Sequence, residues 1–266
     1  MCIRDSGYAM AVGFCLMLGL RRYFPNKIIW LSGLCVLGLG LISSYSRGPW
    51  LGACAGFIVF AMTGPHKTKN AINLALAAVV CGFGLALSPL GEKLFESVTV
   101  ESGSYDYRER LLEISISVML KNPFFGAWDS VYSPAMQELK QGQGIIDIVN
   151  TYVSVALKCG LVGLFLFAGF FLLVLWGISR RMNSISDKDS EDLDLGRGLF
   201  AAMTCMLVTI FTVSSITIVP VLYYLFSGIS VAYMRIGKTV SGKSSTNKNS
   251  IPQQKVIDHR VKVILR

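Results

Sequence analysis

The sequence predicts an all-α integral membrane protein, a polytopic helical bundle of about seven spans with one large external segment. Of 266 residues, 53% are hydrophobic and only 15% charged, whereas a soluble domain carries about a quarter charged residues. The apolar residues also fall into blocks with almost no charge, at 7–20, 28–43, 49–62, 71–87, 161–178, 199–219 and 221–236. Their lengths lie near the roughly 17–25 residues needed to cross a bilayer. A soluble α/β enzyme, a DNA-binding module and a secreted disulfide scaffold are excluded by this pattern.

The order of charged loops sets the expected topology. The net charge of +9 is concentrated beside the apolar blocks: Arg21, Arg22 and Lys27 follow the first, Lys67 and Lys69 the third, and eight basic residues against Asp258 fill the tail from Arg235. Basic residues next to spans mark the cytoplasmic side, so the charge speaks for membrane orientation and not for nucleic acid. Residues 88–148 are the opposite case, with five basic and nine acidic residues, and are the expected external segment. The loop 179–198 is mixed, since Asp187 to Asp194 is acidic while Arg180 and Arg181 abut the preceding block. Alternating spans then put both 44–48 and 88–148 on the external side, and the last two blocks form a hairpin turning outside near 214–220.

The expected organisation is transmembrane helices over 1–87, an external loop with an amphipathic helix over 88–148, and an interfacial helix followed by transmembrane helices over 149–236. A basic cytoplasmic tail over 237–266 reads as disordered from its Ser, Lys, Gly and Asn content. Met1 to Ser6 resemble a cloning or sequencing scar more than a signal peptide, and the chain reads as an N-terminally truncated fragment. The seven cysteines show no CxxC pair or metal-ligand spacing and read as small apolar packing residues. Neither a metal nor a cofactor is expected.

The external segment carries the chemistry. Ser104 or Asp106 can cap a helix running to Lys121, where Asn122-Pro123 stops it. Leu111, Ile114, Val118 and Leu111, Ser115, Met119 give it a partly apolar face. Its first turns hold Arg108, Glu109, Arg110 and Glu113. Arg110 has Asp106 four residues before it and Glu113 three after, so it can be neutralised within its helix. Arg108 lacks such an acid and is the freer to bind an anion.

Arg47, in Tyr45-Ser46-Arg47-Gly48, stands at the external end of a span. It reads either as an arginine snorkelling to headgroups or as a functional group at a packed helix mouth. Gly48, Gly52 and Gly56 after it form a small-residue ridge that lets a neighbouring helix come close. A third patch, Asp147-Ile148-Val149-Asn150-Thr151-Tyr152, leads to Lys158 and Gly160-Leu161-Val162-Gly163. Lys158 would be expensive inside hydrocarbon, so 150–159 reads as an interfacial helix, broken by the glycines where the chain turns into the membrane. Asp147 reads equally as a helix cap or an acid/base group.

Together, Tyr45-Ser46-Arg47-Gly48-Pro49-Trp50-Leu51, then Arg108 ahead of Asn122-Pro123-Phe124-Phe125-Gly126, then Val149-Asn150-Thr151-Tyr152 with Gly160-Leu161-Val162-Gly163, resemble the O-antigen ligase and O-antigen polymerase family. The resemblance covers roughly residues 28–178. It implies a polytopic inner-membrane glycosyltransferase of GT-C-like fold, acting at the periplasmic face on undecaprenyl-diphosphate-linked glycan. The acceptor would be a glycan or a lipid-linked molecule, and the product O-antigen, capsule or exopolysaccharide. Arg47 and Arg108 match the family's two arginines, which implies diphosphate binding, with Arg110 and Asn150 beside them. Members of the family usually have more spans, in keeping with a truncated chain. The departure is at Val149-Asn150, where ligases show a histidine followed by asparagine; that histidine is the family's proposed base. His66 and His259 fall on the expected cytoplasmic side, which leaves Asp147, Glu109 or Glu113 as the base, and polymerase is favoured over ligase. The alternatives are a transporter or flippase of lipid-linked sugars and a non-catalytic assembly protein. Transporter sites sit near the midplane on broken helices in paired repeats, and no pairing is visible.

Overall fold

The computed structural model describes residues 3–64, 102–140, 146, 148–187, 190–213 and 219–247, and every regular element among them is helical. The helices are α1 (Ile3–Gly19), α2 (Lys27–Ser43), α3 (Arg47–Met62), α4 (Ser102–Met119), α5 (Pro134–Gln137), α6 (Thr151–Asn183), α7 (Glu191–Ile210) and α8 (Val219–Asn247). Short 3-10 turns lie at Arg21–Tyr23 and Ser130–Tyr132. The apolar block 71–87 lies outside the described residues. The described parts of the other blocks are carried by α1, α2, α3, α6, α7 and α8; residues 214–218, within the expected hairpin turn, also lie outside the described residues. Thr151–Asn183 and Glu191–Ile210 are long and apolar enough to cross a membrane, and Ser6–Gly19, Lys27–Ser43 and Arg47–Met62 are shorter apolar helices.

Helix α7 is the hub, packed against α1, α3, α6 and α8. Ala201, Ala202, Met203, Cys205, Met206 and Ile210 are buried along it. It starts earlier than its apolar block because Ser190 caps it, its Oγ accepting from the Leu193 N–H at 3.3 Å. Glu191, Asp192 and Asp194 fill its first turn, where carboxylates meet the positive end of the helix dipole. Residues 191–198, expected as loop, are therefore the opening turns of α7. Helix α6, by contrast, turns Phe165, Leu166, Leu172, Leu173 and Trp176 outward. Such an apolar face suits lipid, not water.

Contacts sort the helix ends into two groups. At one end, a Cβ on Gly7 would lie 2.6 Å from Ser44 Oγ, Gly48 abuts Thr212 and Val213, and Thr151 bonds to Val213. At the other, Gly19 abuts Asp194 and Gly198, and Arg22 pairs with Asp194 at 2.7 Å. There too Arg197 Nη2 donates to the Phe60 carbonyl at 2.9 Å and Tyr233 donates to the Asp192 carbonyl at 2.9 Å. Helices consecutive in the chain thus run in opposite directions, α2 against α1 and α3, and α7 against α6, while α1 and α3 run the same way. Asp194, part of the mixed-charge loop in the sequence, sits between two arginines, Arg22 and Arg197. Helix α8 continues to Asn247, so the segment expected to be disordered from residue 237 starts as helix; residues 248–266 lie outside the description.

Candidate functional site

Arg47 is the first residue of α3, one tight turn after α2. Helix α2 ends because Ser44 closes it: Ser44 Oγ donates to the Leu41 carbonyl at 2.7 Å, and Trp50 Nε1 donates to the same oxygen at 2.8 Å. Tyr45 then takes a left-handed backbone, φ 45°, and the chain re-enters helix at Arg47. Pro49 is harmless there, since the first N–H groups of a helix have no internal partner. Tyr45 and Arg47 are exposed.

The glycine ridge behind Arg47 faces α7. A Cβ on Gly52 would stand 2.7 Å from the Cys205 carbonyl, and one on Gly56 would stand 2.8 Å from that of Ala201. Backbone thus approaches backbone at Gly52 and Gly56, while Gly48 makes room for the Thr212 and Val213 side chains, as the four-residue spacing predicts. The Arg47 motif is fixed to the last turns of α7.

The third motif reaches the same place from the other side. Asn150 caps α6, its Oδ1 accepting from the N–H groups of Tyr152 at 2.9 Å and Val153 at 3.3 Å. Its carbonyl oxygen is engaged by the helix. Thr151, buried, donates to the Val213 carbonyl at 3.0 Å, and Tyr152 donates to that of Leu207 at 3.0 Å. Gly48 and Thr151 therefore meet the turn just after α7 at one residue, Val213.

The second motif is locked to α6 instead. Gly160 breaks that helix with φ 67°, ψ −168°, at the glycines where the sequence placed a break. A break leaves backbone groups without helical partners, and the turn after α4 supplies them. Leu161 N–H donates to the Pro123 carbonyl at 2.8 Å, Val162 N–H donates to that of Phe124 at 3.2 Å, and Ala127 N–H donates to that of Leu157 at 3.0 Å. Gly126, also left-handed at φ 66°, lies so close that its Cβ would stand 2.5 Å from the Gly160 nitrogen.

Helix α4 begins at Ser102, ahead of the expected caps, and ends just short of Lys121. Leu111, Ser115 and Val118 are buried, with Leu111 and Val118 packed on Met136, Leu139 and Leu157. The predicted apolar face is therefore real, and it rests on α5 and the first part of α6. Arg108, Glu109, Arg110 and Glu113 are exposed. Among the described residues, no ion pair joins Arg110 to Glu113, one of its two expected partners; the side chain of the other, Asp106, lies outside the description. At about 100° per residue, Arg108 lies about 60° from Leu111 and Arg110 about 100° away on the opposite flank. Arg108 thus borders the packed stripe. Asp147 lies outside the described residues; its neighbours Ile146 and Ile148 are half-buried against the α4–α6 cluster.

Sequence reasoning missed Arg197. It is buried at the opposite end of α7, bonded to Asp194 at 2.8 Å and stacked over Phe60 at 4.2 Å. The three-residue spacing from Asp194 was the available signal. It also missed Val213, which nothing local distinguishes.

A family model described as O-antigen ligase matches residues 31–168, from within α2 into the apolar part of α6 and just over half of the 266-residue chain. No curated protein matches the chain.

Proposed function

The chain belongs to the O-antigen ligase family, and from that premise we propose that it transfers or polymerises undecaprenyl-diphosphate-linked polysaccharide at the periplasmic face of the inner membrane. The family implies glycosyl transfer of ligase or polymerase type. The bundle of about seven spans, the GT-C-like layout and the external position of 88–148 belong to the same proposal. The observation that carries it is the junction at Val213, where the Arg47 motif and the Asn150-Thr151-Tyr152 motif meet one helix end.

In the proposed reaction an acceptor hydroxyl attacks the anomeric carbon of the donor sugar. The bond from that carbon to the diphosphate oxygen breaks, and the electron pair leaves with the lipid diphosphate. Negative charge grows on the diphosphate as the bond opens, so fixed cations stabilise the transition state more than the ground state. Arg47 and Arg108 are assigned to it, each guanidinium able to grip two phosphate oxygens, with Arg110 as a further cation at the rim and no metal required. Asn150 keeps its amide N–H groups for the substrate while its oxygen caps α6. The acceptor proton passes to a carboxylate, Asp147 first, otherwise Glu109 or Glu113.

The test is glycan assembly in cells that depend on this protein. Arg47→Ala and Arg108→Ala are expected to remain in the membrane and to halt elongation or transfer, with undecaprenyl-linked units accumulating. Full-length polymer in both variants would refute the assignment.

A further inference from the structure

We propose that the aromatic turn after α4, formed by Phe124, Phe125, Trp128 and Tyr132, is a lipid anchor seated in the headgroup region of the leaflet that α6 enters at Leu161. It rests on the reading of α6 as a membrane span. The four rings are between 65% and 78% exposed, a concentration that a water-facing surface does not carry. Their depth is set by covalent and hydrogen-bonded geometry. Pro123 and Phe124 carbonyls hold the N–H groups of Leu161 and Val162, the first residues past the Gly160 break, and from there α6 turns Phe165 and Leu166 outward. The turn therefore lies beside the point where the lipid-facing stretch of α6 begins.

The chemistry of the turn favours lipid over a protein partner. Trp and Tyr, apolar rings with one polar atom, concentrate at the boundary of hydrocarbon and headgroup. Lys158 Nζ sits 5.4 Å from the centre of the Trp128 ring, a cation at the level of the lipid phosphates. Leu112, Ile116 and Leu120, at four-residue spacing on the exposed side of α4, lead into the turn as one apolar edge. Anchored this way, α4 holds Arg108 near the phosphate plane.

The experiment is nitroxide scanning of the protein in vesicles of phosphatidylethanolamine and phosphatidylglycerol, in a background keeping only the buried Cys15 and Cys205. Labels are placed at Phe125→Cys, Ser117→Cys on the polar side of α4, and Phe165→Cys on α6, with Tyr132→Cys replacing Phe125→Cys should the latter fail to fold. The expected result is several-fold preference for oxygen over a water-soluble nickel complex at 125 and 165, and the reverse at 117. Preference for nickel at 125 with oxygen at 165 would overturn the anchor alone. Shielding from both reagents at 125 would also overturn it, pointing to a protein partner or second copy. Nickel at both 125 and 165 would show instead that α6 is not a span, and the anchor falls with it.

Discussion

Thr151 donates its buried hydroxyl to the Val213 carbonyl at 3.0 Å, across 62 residues of sequence, and the same Val213 abuts Gly48, the residue after Arg47. One residue in the turn just after α7 thus touches two motifs that are distant in the chain, Thr151 through its carbonyl and Gly48 through its side chain. Removing the bond while keeping the shape tests its weight. Thr151→Val leaves a buried carbonyl without a partner, a loss of about 1–3 kcal/mol, and thermal unfolding in detergent is expected to show it. Thr151→Ser is expected to restore stability. Glycan transfer should fall in Thr151→Val and recover in Thr151→Ser; equal stability of the valine and serine variants would remove Val213 as a fixed junction.

Gly160 and Gly169 predict a second contrast. The backbone of Gly160, φ 67° and ψ −168°, lies in a region essentially confined to glycine, where another residue costs on the order of 1–3 kcal/mol. A Cβ there would also collide with the Phe124 carbonyl. Gly160→Ala is expected to free the aromatic turn and expose the Pro123–Ala127 segment to protease. Gly169, further along α6 with nothing within 4 Å of its Cβ position, is the control, and Gly169→Ala should match wild type or be slightly more stable. Identical protease patterns for the two would show that the break does not depend on glycine.

Much of the fold was legible because in a membrane protein the apolar block is the helix. Each block within the described residues lies on one, and the ridge of Gly48, Gly52 and Gly56 correctly foretold a close helix neighbour. Boundaries were less legible: residues 191–198 read as loop by charge, yet Ser190 and three acidic residues make them the start of α7. The break at Gly160 was visible as glycines, but its closure by Pro123 and Phe124 was not, because the partner backbone lies far off in sequence. The amphipathic face of α4 was read correctly from its spacing. The Arg110–Glu113 pair was not, since spacing allows a contact without enforcing it between exposed side chains.

Asp194 is expected to matter far more than its neighbour Asp192. Asp194 faces Arg22 at 2.7 Å and Arg197 at 2.8 Å, and Arg197 is buried, so Asp194→Asn leaves that charge uncompensated, a loss of about 3–5 kcal/mol. Asp192 reaches Arg181 only at 3.9 Å and is exposed, so Asp192→Asn should cost about 0–1 kcal/mol. Unfolding of the two variants in detergent decides it. Equal losses would mean that the Asp194 cluster adds no more than a surface pair.

The arginines divide by geometry as well as by charge. Arg47→Lys keeps a cation that can reach the headgroups but loses the planar fork that takes two phosphate oxygens; expression should survive and most activity should not. Near-normal activity would mark Arg47 as a headgroup anchor. Arg108 borders the buried Leu111–Ser115 stripe and Arg110 lies on the opposite flank, so Arg108→Ala should abolish transfer while Arg110→Ala retains part of it. Equal loss from the two would end the distinction between them.

The base is the last point that mutation can decide. Residue 149 is valine, so no histidine stands where the family's proposed base falls. Replacing His66 and His259 together should leave transfer intact. Asp147 is two residues from that position, between Ile146 and Ile148, which are half-buried against the cluster that also holds Leu111 of α4. A carboxylate of ordinary pKa, about 3.9, is a weak base but is ionised at neutral pH and accepts a proton once the acceptor oxygen is bonding to carbon. Asp147→Asn should therefore cut turnover much more than donor binding, and wild-type turnover should rise with pH through the carboxylate's titration and then level. Glu109 and Glu113 lie exposed on α4, the helix that carries Arg108. If Asp147→Asn is silent and Glu109→Gln or Glu113→Gln is not, the proton goes to the arginine-bearing helix. If all three are silent, departure of the diphosphate runs ahead of proton loss, and the two guanidiniums carry the reaction without a side-chain base.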